Sequence, residues 1–157
     1  MFRLYSKGCE YAIRGLMHLP TRIDSNVGIQ EISVRAQVPE HFTRKMFQIL
    51  ARKGILAAIS GPNGGYRLVR KPEQVSLLEI IEIIDGVDPL SACVLGLPVC
   101  DDRSPCALHN AWSKAKKTLL PDLRGTSIAD LFRASEQDRL MRVPKPRAPR
   151  RKINYGR

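Results

Sequence analysis

No apolar run in this sequence reaches the roughly 20 residues that a helix needs to cross a bilayer, so a helical membrane protein is excluded. The opening stretch MFRLYSKGCEYAIRG lacks the apolar segment and cleavage pattern of an export signal, and the expected location is the cytoplasm. In that reducing compartment four cysteines are metal ligands or redox sensors before they are structural disulfides. Catalytic constellations are missing as well. No base stands beside a plausible nucleophile, and Glu79 and Glu82 read as a solvated helix face and not as a catalytic pair. The Gly-rich SGPNGG stretch lacks the Lys-Ser/Thr of a phosphate loop and leads into a strand, so it is no P-loop, and the chain is not expected to be an enzyme.

Acidic residues are absent from residues 139–157, which hold eight Lys or Arg. The net charge of +11 is therefore concentrated. Residues 40–71 carry Arg44, Lys45, Arg52, Lys53, Arg67, Arg70 and Lys71 against Glu40 alone, and the remaining sequence is net negative. One mid-chain segment and one tail thus supply the field that draws nucleic acid. The Pro-, Arg- and Lys-rich tail, residues 137–157, reads as a disordered, nonspecific arm.

Three of the four cysteines and one of only three histidines fall in CVLGLPVCDDRSPCALH, residues 93–109. Thiolate and imidazole are the donors that hold zinc or iron–sulfur clusters, and a loop rich in Pro, Gly and Asp lets Cys93, Cys100, Cys106 and His109 turn toward one centre. Ser104 and Pro105 predict the start of a helix, with Cys106 and His109 at i and i+3 on one face.

Elsewhere the periodicity predicts a mainly α chain. Residues 5–20 form a first helix with an apolar stripe at Tyr11, Ala12, Gly15, Leu16 and Leu19, closed by Pro20. Ile29, Ile32, Val34 and Ala36 mark a second. After a tight turn at Gln37 and Val38, Pro39 opens a third helix with Phe42, Met46, Ile49 and Leu50 inward and His41, Arg44, Lys45 and Gln48 outward. Two helices joined by a tight turn, the second basic at its start, are a helix-turn-helix. Strands at Ile55–Ile59 and Tyr66–Val69 around SGPNGG add a hairpin, the wing of a winged helix, with Arg67, Arg70 and Lys71 placed toward phosphate. A helix from Val75 to Asp85 ends at Gly86. Another runs from Cys106 to about Leu120 with more apolar surface than so small a monomer can bury, which predicts a homodimer, and a short one covers Ser127–Phe132.

RLYSKG with EYAIRGLM, IQEIS, RKMFQILARKGIL, GPNGGYRL, SLLEIIEIIDG and C-x6-C-x5-C-x2-H, in this order over residues 3 to about 134, resemble the Rrf family of bacterial winged-helix transcription regulators, with its IscR-like and NsrR-like iron–sulfur sensors. The resemblance implies a homodimer on double-stranded DNA, joined by the long helix after the cysteines. It also implies a 2Fe-2S or 4Fe-4S cluster on Cys93, Cys100 and Cys106 that senses iron, redox state or nitric oxide. For the fourth ligand it offers His109, as in IscR-like members, or Glu10 from the partner subunit, as in NsrR-like ones, with Cys9 a weaker third. DNA contacts are expected from His41, Thr43, Arg44, Lys45 and Gln48 on the recognition helix and from Ser60, Asn63 and Arg67 on the wing. The chain divides into a DNA-binding part (1–86), a cysteine loop with dimerisation helices (87–136) and the tail (137–157). Two other readings remain open: a winged-helix regulator with a zinc or thiol-redox switch, and a basic RNA-binding protein.

Overall fold

The computed structural model describes residues 4–20, 25–86, 93–97 and 100–136; the basic tail and residues 87–92 of the expected cysteine loop lie outside them. The elements run α1 (Lys7–Leu16), α2 (Ile29–Ala36), α3 (Glu40–Arg52), β1 (Leu56–Ile59), β2 (Gly65–Leu68), a 3-10 turn at Pro72–Gln74, α4 (Leu77–Asp85), α5 (His109–Gly125) and α6 (Ile128–Glu136). The fold is a mainly α winged helix-turn-helix with a long C-terminal helix.

Ser6 starts α1 by accepting the Cys9 amide at 3.1 Å, a side-chain cap for a donor with no partner within the helix. The helix stops at Leu16, short of the predicted Pro20, and Leu19 is buried in the turn beyond it. A Cβ on Gly15 would lie 3.0 Å from the Phe47 ring, so the missing side chain is what lets α1 rest on that ring. Phe47 is fully buried and meets Tyr66 edge-on, with centroids 5.2 Å apart. This corrects the predicted face of α3. Thr43, Phe47 and Leu50 are its buried positions, and Phe42 is 55 % exposed. At 100° per residue the three buried residues share a sector of about 60°, and Phe42 falls outside it.

On α2, Ile29, Ile32 and Ala36 point inward as predicted, whereas Val34 is 73 % exposed and Ser33 takes an inward place. The Ser33 hydroxyl is buried with no hydrogen-bond partner among the described residues. Replacing it with Ala removes that cost and raises helix propensity. Ser33→Ala is expected to stabilise the fold by about 1 kcal/mol, read as a higher urea midpoint with an unchanged slope; a lowered midpoint would contradict it.

Gln37 makes the turn between α2 and α3 in the left-handed region (φ 52°, ψ 49°), a conformation that disfavours a side chain by roughly 1–2 kcal/mol. The Arg14 guanidinium donates to the carbonyls of Ala36 at 2.5 Å and Gln37 at 3.4 Å, holding the turn against α1. Pro39 is the cap of α3 and not its first-turn residue.

The hairpin pairs Leu56 with Leu68 and Ile59 with Gly65. Val27 adds a one-residue third strand, exchanging hydrogen bonds with Tyr66 at 3.0 and 2.9 Å. Gly65 permits that approach: its φ is +145°, and a Cβ there would lie 2.3 Å from the Val27 carbonyl oxygen.

Ser76 caps α4 by accepting the Glu79 amide at 3.1 Å, and Gly86 ends the helix at φ 96°. The C-terminal helices are tied to this cap, since Leu77 donates to Thr126 at 2.8 Å and Ile128 to Val75 at 2.9 Å. The helix predicted from Cys106 begins at His109, because the Ser104 amide donates to Asp101 at 3.2 Å and its side chain caps nothing. At its other end α5 continues through Pro121 to Gly125, past the predicted Leu120. Leu119, Leu120 and the buried Leu123 pack on the core there, and that burial outweighs the hydrogen bond lost at proline. The last helix starts at Ile128 and extends beyond Phe132 to Glu136.

Candidate functional site

The outward sector of α3 lies opposite Thr43, Phe47 and Leu50. His41, Lys45, Gln48 and Arg52, all exposed, run along its centre at i, i+4, i+7 and i+11. Lys45 and Arg52 can donate to phosphate or guanine, and Gln48 can pair with adenine. Arg52 is the member that sequence reading left out, although the helical period extended from His41 reaches it. Thr43 is corrected: it is fully buried and its hydroxyl donates to the Pro39 carbonyl at 2.9 Å, so it shapes the helix start instead of touching a ligand. Arg44 stands on the flank of the sector and pairs with Glu40 one turn earlier. On the other flank Phe42 meets His41 at 5.7 Å and Tyr11 at 6.4 Å.

Ser60 and Asn63 are exposed at the wing tip, and the Asn63 carbonyl accepts the Asn26 amide at 3.4 Å. Arg67 lies on the outward face of β2, between the buried Tyr66 and Leu68. Arg70, predicted to face phosphate, is instead paired with Glu79 at 2.6 Å and donates to the Gln74 carbonyl at 2.5 Å, clamping the base of the wing to α4. Glu79 is thus an anchor and not merely a solvated carboxylate.

The second centre is the thiol segment. Cys93 opens a turn in which Gly96 (φ +73°) returns its amide to the Cys93 carbonyl at 2.9 Å. That turn aims the amides of Leu95 and Leu97 at the Cys93 sulfur, and these hydrogen bonds hold its thiol below the usual range. Cys93 and Cys106 have their sulfurs 4.0 Å apart. Cys100 lies 3.6 Å from His109 Nδ1, and it also interacts with Cys93, so the two pairs adjoin. Lost contact with water pushes the Cys100 thiol up, partly offset by Lys116. His109, first residue of α5 and buried, contacts Asp102 through Nε2 at 2.7 Å.

These separations can be compared with metal geometry. Tetrahedral coordination with bonds of about 2.3 Å to sulfur and about 2.05 Å to nitrogen spaces two sulfurs by about 3.8 Å and a sulfur and a nitrogen by about 3.6 Å. Each pair therefore has the spacing of two ligands on one metal. Among the described residues no three Cys, His, Asp or Glu gather to hold a single ion. Two adjoining pairs are the arrangement a two-iron cluster asks for, and in that sense the residues fit.

The other ligand candidates are placed elsewhere. Cys9 is fully buried and its thiol is pushed up to about 12, by burial and then by Asp85. Glu10 lies on α1 with its carboxylate 2.6 Å from Lys7 and 3.9 Å from Arg14. Asp102 was not singled out from the sequence, where nothing in its spacing from His109 marks it.

A recognition helix and wing with a basic outward face define a winged-helix DNA-binding transcription regulator, not an enzyme. Residues 5–134 match the Rrf2 family, described as iron-dependent transcriptional regulators, and the chain belongs to that family. It is 30 % identical over 133 residues to protein aau3 of Rhizobium meliloti, covering 84 % of this chain and 86 % of that one. It is 27 % identical over 131 residues to the HTH-type transcriptional regulator IscR of Aliivibrio salmonicida, covering 83 % and 77 %. In fold it is similar to CymR, the global cysteine regulator of B. subtilis, with a TM-score of 0.69 at 22 % identity over 85 % of this chain and 98 % of that one.

Proposed function

We propose that this regulator carries an iron–sulfur cluster of the two-iron type on Cys93, Cys100, Cys106 and His109, and that the cluster's state sets its hold on operator DNA. The observation that carries the reading is the division of these donors into two adjoining pairs, 4.0 and 3.6 Å across. The family's description as iron-dependent supports it. Bound there, the cluster would supply a centre that responds to iron supply, redox state or nitric oxide. A nitrogen donor among thiolates suits that use, being a weaker ligand for iron and easier to exchange.

Both ends of the thiol segment join the DNA-binding part. Its leading end follows α4, whose Asp85 accepts the Ser6 amide at 2.7 Å at the start of α1. Its trailing end is His109 at the head of α5, and α5 leads to Thr126, whose carbonyl accepts the amide of Leu77 at the start of α4. Both routes meet at α4, which Glu79 ties to the wing base through Arg70, and a change at the thiols would act through that helix. Coupling of this kind is reciprocal, so operator DNA should alter cluster stability as well. The reader would be His41, Lys45, Gln48 and Arg52, flanked by Arg44 and by Ser60, Asn63 and Arg67 of the wing.

The proposal includes a homodimer, supported by α5, where only His109 and Leu123 of seventeen residues are buried. Leu108, Ala111 and Ala115 form an exposed small and apolar stripe, the face a second copy would cover. No helix among the described residues is long and apolar enough to cross a membrane, and the cytoplasm is the proposed location. Purification under nitrogen tests the proposal: a coloured dimer with iron and acid-labile sulfide in equal amounts is expected. A colourless protein that stays free of both after reconstitution would end the cluster reading, and stoichiometric zinc would replace it with a zinc site.

A further inference from the structure

The ring of His109 has two nitrogens with different neighbours, and one contact decides which of them can bind metal. Nε2 lies 2.7 Å from an Asp102 carboxylate oxygen and Nδ1 lies 3.6 Å from the Cys100 sulfur. An ionised carboxylate only accepts hydrogen bonds, so in the neutral ring the proton sits on Nε2 and the lone pair on Nδ1. That lone pair faces the thiol cluster.

The turn that carries Asp102 is held by its neighbour. Asp101 Oδ1 accepts the amides of Arg103 and Ser104, shaping the turn from which Asp102 reaches back to α5. The His109 amide donates to the Cys106 carbonyl at 3.0 Å, which sets the base of the imidazole relative to the third cysteine. The Asp102 side chain is 97 % exposed even with this contact, so its bond to His109 contributes little to folding in water. Its effect is on proton position and ring orientation. The competing donor, Glu10, is meanwhile engaged by Lys7 and Arg14.

We infer that Asp102 is the positioning residue that makes His109 the fourth ligand, by holding the proton on Nε2 and turning Nδ1 toward the metal beside Cys100. This rests on the cluster reading above. Carboxylate partners of ligating imidazoles act in this way generally, and their loss costs about 10–100-fold in metal affinity.

Three variants and three readouts test it. In the metal-free protein, long-range nitrogen–proton correlation spectra should show His109 as the Nε2-protonated tautomer. Asp102→Ala should give a mixture of tautomers, and Asp102→Asn, which keeps an accepting oxygen, should restore the single form. In the reduced, reconstituted protein, pulsed EPR should show coupling to a histidine nitrogen that His109→Ala abolishes. Asp102→Ala should weaken or alter that coupling and release iron to a chelator about 10–100-fold faster, with Asp102→Asn near the wild type. An Asp102→Ala protein with unchanged tautomer, coupling and iron release would overturn the inference and leave the cluster reading standing. A wild-type cluster without histidine coupling would overturn it too. A wild type that takes up no iron and sulfide would remove the cluster reading itself, and the ligand role of His109 with it.

Discussion

Cys100→Ala is expected to come off an anaerobic column without the visible absorbance and iron of the wild type, while still folded and still able to bind duplex DNA, its operator affinity fixed at that of the cluster-free wild type. A ligand lost outright should cost more affinity than the roughly 10–100-fold attached to an outer partner. The same change leaves α3 untouched, because Cys100 is bonded within its own segment to His109 and Cys93. Lys45→Ala should show the reverse. Lys45 is exposed at the centre of the outward sector of α3, so its loss should weaken operator binding by about 1–3 kcal/mol and, if it meets phosphate, lower the salt slope by about 1. Its iron content should equal that of the wild type. Fluorescence anisotropy on labelled operator, beside iron and sulfide determination, decides the matter. Equal losses of both properties in both variants would mean that reader and sensor are not separate parts.

Phe47→Ala should have the largest effect on stability, about 3–5 kcal/mol. The ring is fully buried, stands edge-on to Tyr66 at 5.2 Å and fills the space that Gly15 leaves open on α1. Its removal opens a cavity where α1, α3 and the wing meet. Against a total of about 5–15 kcal/mol for an ordinary domain, such a loss would bring the urea midpoint close to zero for a protein at the low end. Phe42→Ala, on the exposed flank of the same helix, should change the midpoint little. If the two phenylalanines proved equally costly, the inward face of α3 would have been assigned wrongly.

Those two residues also show how far local pattern carries. The stripe Phe42, Met46, Ile49 and Leu50 has a helical period and so does the observed set Thr43, Phe47 and Leu50. The two differ by a rotation of the helix, which α1 and Tyr66 settle by where they press. Thr43 could turn inward because its hydroxyl finds the Pro39 carbonyl, a bond available only once the turn at Gln37 has placed Pro39 as a cap. Arg70 reads as a phosphate contact by its place after the wing, but Glu79 comes beside it only when α4 folds back on the hairpin.

Elements with strong local signals needed no such help. Ser76 and Gly86 bound α4 and SGPNGG bounds the wing, because each of these depends on residues a few positions apart. Spacing along the chain set the family and the winged helix-turn-helix, and it marked out Cys93, Cys100, Cys106 and His109 as the proposed donors. The helix start at His109, the division of the donors into Cys93 with Cys106 and Cys100 with His109, and the Asp102 contact came from the folded chain. Loop residues carry no period from which their directions can be read, and a side chain's partner across such a loop is chosen by packing and hydrogen bonds that exist only after folding.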